Sequence, residues 1–278
     1  MELLDGKKVR QKMLSELKEQ IKKEKVGLAV IQVGEDEASK VYVRQKEKMA
    51  EELGFKFEHI KFDESVSEEA LLNKIDELNE NDLIDGILVQ MPIPKHLNAS
   101  VVQNRINPLK DVDGLTDVNA GCLMHNKDAL VPCTPQGIID LLKYYGIEFS
   151  GKNVTIIGRS DLVGKPLASL MINNNATVTL CHSKTKNLSL FTTNADILIV
   201  AVGKAKLIKK DYVKEGAIIV DVGINRQEDG KLCGDVDFEN IKDKVSYITP
   251  VPGGVGQMTV AELAKNTYKA HILRKDNK

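Results

Sequence analysis

The 278-residue chain has no tryptophan, and only six tyrosines and six phenylalanines. Its core must come from aliphatic side chains, and it offers few rings on which single-stranded nucleic acid would stack. Cysteine is also scarce. Cys122, Cys133, Cys181 and Cys233 are scattered with no C-x-x-C pair, which excludes a zinc ribbon and a disulfide framework. Reduced, semi-buried thiols in a reducing cytosol are expected. Neither sign of charge dominates: 39 basic and 40 acidic residues leave a formal charge of −1. No net positive field recruits nucleic acid or an anionic membrane. No apolar run reaches the length of a membrane span, and the opening MELLDGKKVRQKML lacks the apolar centre of a signal peptide. A soluble cytoplasmic protein is expected, without nucleic-acid or membrane partners.

What is present is alternation of helix and strand patterns. DGKKVRQKMLSELKEQIKKEK is amphipathic and helical; VGLAVIQVG, closed by Gly34, is a buried strand. A charged helix through VYVRQKEKMAEELGF follows, then the strand FKFEHIKF and the helix SVSEEALLNKIDELNE with Ser67 as cap. IDGILVQMPIP is a strand halted by Pro92 and Pro94, and NASVVQNRI is a helix leading to the turn NPLKDVDGL. VPCTPQGIIDLLKYYG predicts a helix capped by Thr134 with Pro135 at its first position. Beyond it come NVTIIGRSDLVGKPLASLMINNNATVTLCHSKT (strand, glycine turn, helix, strand), the apolar strands ADILIVAVG and AIIVDVGIN, the short strand SYITPVPGG and the helix TVAELAKNTYKAHIL. The order predicts an α/β fold with parallel sheet and helical crossovers. Two domains are expected, at about 1–120 and 121–257, with the final helix, 258–278, free to pack on either.

The glycine turn VTIIGRSDLVGKP carries the cofactor signal. Gly158 ends a strand and Gly164 opens a helix, whose N-terminus favours phosphate. The three-glycine dinucleotide fingerprint would fall on Gly158, Ser160 and Val163, so as a bare pattern it is weak. The segment after the next strand adds to it. NAD-binding folds place an acid about twenty residues on, to hold the ribose. Here CHSKT supplies Ser183 and Lys184 instead, and Arg159 lies in the turn. An acid would repel a 2′-phosphate that arginine and serine accept, so NADP is expected over NAD.

Three residues of the first domain suggest a substrate site. In ASKVYVRQKEKMAEELG, Ala38, Val41, Tyr42, Met49 and Leu53 recur at helical steps, and Lys46 falls on the same face. A lysine there either snorkels past Tyr42 into water or serves a pocket. Gln90 ends a buried strand, where open α/β sheets bind ligands. Asp113 lies in the turn KDVDG, where an acid before glycine is commonly a turn-former.

Taken in order, SKVYVRQKEKMAEELG, DGILVQMPIP, KDVDGL, GRSDLVGKP, CHSKT, CGDVDF and TPVPGGVGQMTV resemble the bifunctional methylenetetrahydrofolate dehydrogenase/cyclohydrolases. The resemblance covers nearly the whole chain. It implies an N-terminal α/β substrate domain, a Rossmann-type NADP-binding domain, a final helix that returns to the first domain, and a homodimer. It implies oxidation of 5,10-methylenetetrahydrofolate with NADP, then hydrolysis of the methenyl cation to 10-formyltetrahydrofolate, in the one-carbon metabolism that feeds purine biosynthesis. Residue by residue, Lys46 matches the family's catalytic lysine, Tyr42 the tyrosine that packs on the folate, Gln90 the glutamine bonded to that lysine, and Asp113 the aspartate that reads the pterin. Gly158, Arg159, Ser160, Ser183 and Ile224 match cofactor contacts. Pro252 and Gly253, in TPVPGGVG, bring backbone close to folate or cofactor. No metal is implied. The family usually has proline where this chain has Gln257, which predicts a looser loop. A shikimate dehydrogenase-like enzyme, a monofunctional dehydrogenase and an NADP-binding protein with a degenerate site remain as alternatives.

Overall fold

The computed structural model describes residues 1–22 and 24–276, with the side chain of Ala38 outside the described set. In chain order its elements begin with β1 (Glu2–Leu3), α1 (Gly6–Ile21), β2 (Gly27–Val33), α2 (Glu37–Leu53), β3 (Lys56–Phe62), α3 (Glu68–Glu80), β4 (Gly86–Val89), α4 (Ala99–Arg105), α5 (Asp117–Met124) and α6 (Cys133–Tyr144). Then come β5 (Asn153–Ile157), α7 (Gly164–Asn173), β6 (Thr177–Cys181), α8 (Ser189–Thr192), β7 (Ile197–Val200) and β8 (Ile218–Asp221). The short strands β9 (Asn225–Arg226) and β10 (Leu232–Cys233), α9 (Phe238–Ile241), β11 (Tyr247–Ile248) and α10 (Val255–Asp276) complete it.

These elements form two compact units. One holds residues 12–133 and 260 onward; the other holds 1–11 and 134–259. The chain passes from one to the other at 133 rather than at the expected 120. The N-terminus groups with the later residues because β1 pairs in parallel with β11, Glu2 opposite Tyr247, and Leu4 N–H donates to Ile248 O at 2.9 Å. Two residues of strand are too few to be read from a periodic pattern.

In the first unit β2 is the centre of a parallel sheet ordered β3-β2-β4. Its seven residues are all buried because helices cover both faces. Leu28 and Val30 point into a cluster with Met49, Leu53 and Leu263; Ala29 and Ile31 point the other way, to Leu71, Ile75 and Ile87. Beyond β4 the chain adds a fragment of a fourth strand: Ile87 N–H donates to Lys110 O at 2.7 Å, and Ile87 bridges to Asp111 in parallel. Ser67 caps α3 as expected, accepting from Ala70 N–H at 3.2 Å. Helix α5 was not legible as a pattern; Thr116 caps it by accepting from Asn119 N–H.

The second unit carries six parallel strands in the order β1-β11-β8-β7-β5-β6, so the two apolar runs β7 and β8 are its centre. β9 and β10 make a small antiparallel hairpin outside that sheet. Thr134 is not the cap that its position suggested. Helix α6 already includes Cys133, and the Thr134 hydroxyl pairs with that of Thr259 at 2.9 Å.

Candidate active site

Helix α2 presents the lysine. Asp36 caps its start, accepting from Ser39 N–H at 2.7 Å, and Gly54 ends it at φ +74°. The buried face consists of Ser39, Val43, Met49, Ala50 and Leu53, and Lys46 falls on the same face, half-buried. Two residues expected on that face are not there: Val41 is 57% exposed and Tyr42 44%. A buried serine at position 39 masks the true stripe, which runs 39, 43, 46, 50, 53 at helical steps. Ala38 was expected on the same face; its side chain lies outside the described residues. Lys46 therefore faces inward, as expected, while Tyr42 sits one turn earlier with its ring half in solvent.

Lys46 Nζ donates to Gln90 Oε1 at 2.5 Å. Gln90 follows β4, its backbone N–H is held by Ile31 O at 2.8 Å, and its side-chain N–H₂ donates to Met91 O at 2.7 Å. The amide is thus oriented with its oxygen toward the amine. Burial pushes the Lys46 pKa down, against a weaker upward pull from Asp113 and then Cys133. Burial likewise pushes the Asp113 carboxyl up, against Lys46. A desolvated amine and a desolvated acid thus share one region.

Asp113 is brought there by the Lys110–Asp111 fragment beside β4. Gly86 permits the approach, since a Cβ on it would lie 2.6 Å from Val112 Cγ1. Asp111, fully buried, holds the turn shut by accepting from Thr116 N–H (2.8 Å) and Asn119 Nδ2 (2.9 Å). Lys110 Nζ donates to Leu78 O and Asn81 O at the end of α3. Gly114 turns the chain at φ +70°, where a Cβ would meet Val131 C at 2.5 Å. Asp111, the first acid of KDVDG, builds the loop, a structural role that the doubled acid could have signalled; Asp113 is left free of that task.

The second unit holds the nucleotide-type residues. Gly158 has φ +125°, and a Cβ on it would lie 2.3 Å from Ala201 O. A Cβ on Gly164 would lie 2.0 Å from Gly158 O. Gly164 is therefore the residue that lets α7 close against the turn. No side chain caps α7; Ser160 Oγ accepts from Val163 N–H at 3.2 Å. Register pairs Ile157 with Cys181, so Arg159 and Ser183, each two residues later and both exposed, leave adjacent strands side by side. His182 shapes the CHSKT turn, its Nδ1 accepting from Lys184 N–H at 3.1 Å. Ile224, 49% exposed, lies beside Gly256, and Gly253 has φ +113° next to exposed Pro252. Gln257 is tied at both its backbone and its side chain. Its N–H donates to Gly254 O at 3.1 Å, a bond proline lacks, and its Oε1 accepts from Arg10 Nη1 at 3.3 Å. Cys133, Cys181 and Cys233 are buried thiols and Cys122 is partly exposed. Among the described residues no group of side chains is arranged to hold a metal, and no helix is long and apolar enough to cross a membrane.

Family models match both parts of the chain: the tetrahydrofolate dehydrogenase/cyclohydrolase catalytic domain over residues 4–113, and the NAD(P)-binding domain of the same family over 132–275. The chain belongs to the tetrahydrofolate dehydrogenase/cyclohydrolase family. It is 52% identical over 273 residues to the bifunctional protein FolD of Bacillus cytotoxicus, covering 96% of each chain. The FolD crystal structure from Campylobacter jejuni superposes with a TM-score of 0.97 at 48% identity, covering 99% of both chains. The methylenetetrahydrofolate dehydrogenase-cyclohydrolase of Trypanosoma brucei, solved with NADP and an inhibitor, gives a TM-score of 0.92 at 35% identity, covering 98% of this chain and 97% of that one. Membership of the tetrahydrofolate dehydrogenase/cyclohydrolase family sets aside the shikimate dehydrogenase-like alternative.

Proposed function

We propose that the chain oxidises 5,10-methylenetetrahydrofolate to the methenyl cation with NADP and then hydrolyses that cation to 10-formyltetrahydrofolate. The observation that carries the reading is the inward amine of Lys46 on the oxygen of Gln90. Bound NADP supplies a hydride acceptor. The bare backbone at Gly158, with Arg159 and Ser183 side by side beyond it, fits a dinucleotide bearing a 2′-phosphate. Gly158, Arg159, Ser160, Ser183 and Ile224 are the residues we assign to it.

On the folate side, Tyr42 offers a half-exposed ring for the pterin or its neighbouring aryl group. Asp113 accepts N–H bonds from the pterin edge, which a carboxylate can do with both oxygens. Pro252 and Gly253 are assigned to backbone contact with bound substrate. Oxidation needs orientation and tolerance of a growing positive charge, which a neutral Lys46 gives and a charged one would not. Hydrolysis needs water stripped of a proton as it attacks the cation. The neutral amine accepts that proton while Gln90 holds it without adding charge; the C–N5 bond of the resulting carbinolamine then breaks as N5 takes the proton back from the ammonium and the hydroxyl proton leaves to water. The chain would act as a homodimer in the cytoplasm, supplying one-carbon units to purine synthesis; this part rests on the family resemblance. Sedimentation of a monomer at micromolar concentration would overturn the dimer.

The deciding measurement is absorbance at the methenyl band with tetrahydrofolate, formaldehyde and NADP supplied. Methenyl should form with NADPH and then decay to 10-formyltetrahydrofolate faster than without enzyme. No methenyl overturns the reading; methenyl that decays only at the uncatalysed rate reduces it to a monofunctional dehydrogenase.

A further inference from the structure

We propose that Asn266, on the last helix, is a positioning residue for Asp113, setting the folate anchor through the peptide carbonyl that precedes it. The proposal rests on the reading of Asp113 as the anchor. The Asn266 amide is buried at 6% exposure, and its Nδ2 donates to Val112 O at 2.9 Å and Val131 O at 2.8 Å. Both amide hydrogens thus tie two backbone strands of the site together. Val112 O is the acceptor adjoining Asp113, so its direction fixes the peptide plane from which the carboxylate projects. The Cys133 thiol gives the same oxygen a second donor at 3.3 Å, and Cys133 Sγ lies 3.7 Å from Asn266 Nδ2.

The strands it ties already touch. A Cβ at Gly114 would strike Val131 C, Pro132 N at 2.6 Å and Leu130 O at 2.9 Å. Contact alone does not set the rotation of the Val112–Asp113 peptide; two donors on one carbonyl do. Within the turn itself Asp111 accepts from Thr116 N–H and Asn119 Nδ2. The anchor is therefore held by side chains from three separate stretches of chain. Asp111 builds the loop and Cys133 supports it, while Asn266 reaches it from more than 150 residues later in the sequence.

Removing the amide leaves Val131 O without that donor and Val112 O with the thiol alone. Asn266→Ala should raise the folate KM roughly tenfold in both activities, the scale of a buried acceptor losing its partner. The NADP KM and the pH profile of kcat should not move. Thr267→Val, next along the helix, removes a hydroxyl bound only within the helix, to Leu263 O at 2.7 Å, and serves as the control for general loosening. Asn266→Gln keeps the amide donor on a longer stem and should fall between wild type and alanine; it carries the test if the alanine variant does not fold. An unchanged folate KM in the folded variants overturns the proposal. So does an equal rise in Thr267→Val, which would make the effect general packing. Asp113→Ala is run alongside: if it leaves the folate KM unchanged, the anchor reading itself fails, and the two failures are told apart.

Discussion

Lys46 donates its amine to the side-chain oxygen of Gln90, and Gln90 cannot turn away because its N–H₂ is held by Met91 O. Among the described residues the amine is thereby placed without a carboxylate within ion-pair distance. That distinguishes the arrangement from a structural salt bridge, where a carboxylate would keep the lysine protonated. The geometry favours a lysine that gains and loses a proton.

The first consequence is for Lys46→Met, which keeps the length and apolar stem but removes the nitrogen. Cyclohydrolase should fall by ~10²–10⁴-fold, the usual worth of a positioned base. Dehydrogenase should fall less, since hydride transfer passes no proton. Cyclohydrolase surviving above about a tenth of normal would show that another group activates the water.

The second concerns pH. Burial lowers the pKa of Lys46 from its ordinary value. If the neutral amine is the active form, as proposed, cyclohydrolase kcat should rise as pH rises through that lowered pKa and then level off. An ordinary lysine would leave the rate climbing to pH values near 10. Gln90→Glu places a carboxylate beside the amine, favours its protonation and should move the rise to higher pH. A profile identical in Gln90→Glu would show that the side chain at position 90 does not govern the protonation of the amine.

Cofactor choice is the third. Arg159 and Ser183 emerge together beyond Ile157 and Cys181. Arg159→Ala should raise the NADP KM several-fold with little change for NAD, because only the 2′-phosphate loses a partner. Parallel initial-rate measurements with the two cofactors check it. Equal losses for both would make Arg159 a general anion contact.

Much of this was legible before any coordinates. The strands β4 and β7 are unbroken apolar runs, and β2 and β8 are apolar but for Gln32 and Asp221, a pattern that two-sided burial explains, and their spacing implied crossovers. Lys46, Gln90 and Asp113 were each visible as a residue at odds with its surroundings. Their mutual geometry was not, because nothing local to DVDG says that it runs beside β4. The face of α2 was misread because Ser39 is buried while Val41 and Tyr42 are exposed, the reverse of what polarity suggests. Strand β1 was missed because its register is supplied by residues 247 and 248. Asn266 gave no signal at all: one asparagine in an amphipathic helix is ordinary until its acceptors are known.

Gly164 supplies the fourth prediction. A methyl there would overlap Gly158 O, a backbone atom that moves only with the turn. Gly164→Ala should lower stability by about 1–3 kcal/mol, as overpacking does, and raise the NADP KM by displacing the glycine turn. Folate affinity should be untouched in protein that remains folded. Thermal melts with and without NADP read both effects; a melting temperature within error of wild type would contradict the close approach.

The final prediction concerns Asp113. Burial holds its carboxyl above the ordinary value of 3.8, with Lys46 pulling the other way. Only the ionised form can accept two N–H bonds from the pterin edge; the protonated form must turn one oxygen into a donor. Folate binding should therefore weaken as pH falls through the raised pKa, and begin to weaken at a higher pH than an exposed aspartate would allow. Asp113→Asn keeps the shape but offers one acceptor and one donor, so its folate KM should be high and insensitive to acid. Asp113→Ala should cost on the order of 1–3 kcal/mol in binding, because a donor on the ligand is left unpaired in a dry site. Both activities use the same bound folate, so both values of kcat/KM should drop by a similar factor in each variant. If cyclohydrolase falls while dehydrogenase holds, Asp113 takes part in the proton chemistry beside Lys46, and the raised carboxyl then serves as an acid for the opening ring rather than as an anchor for the pterin.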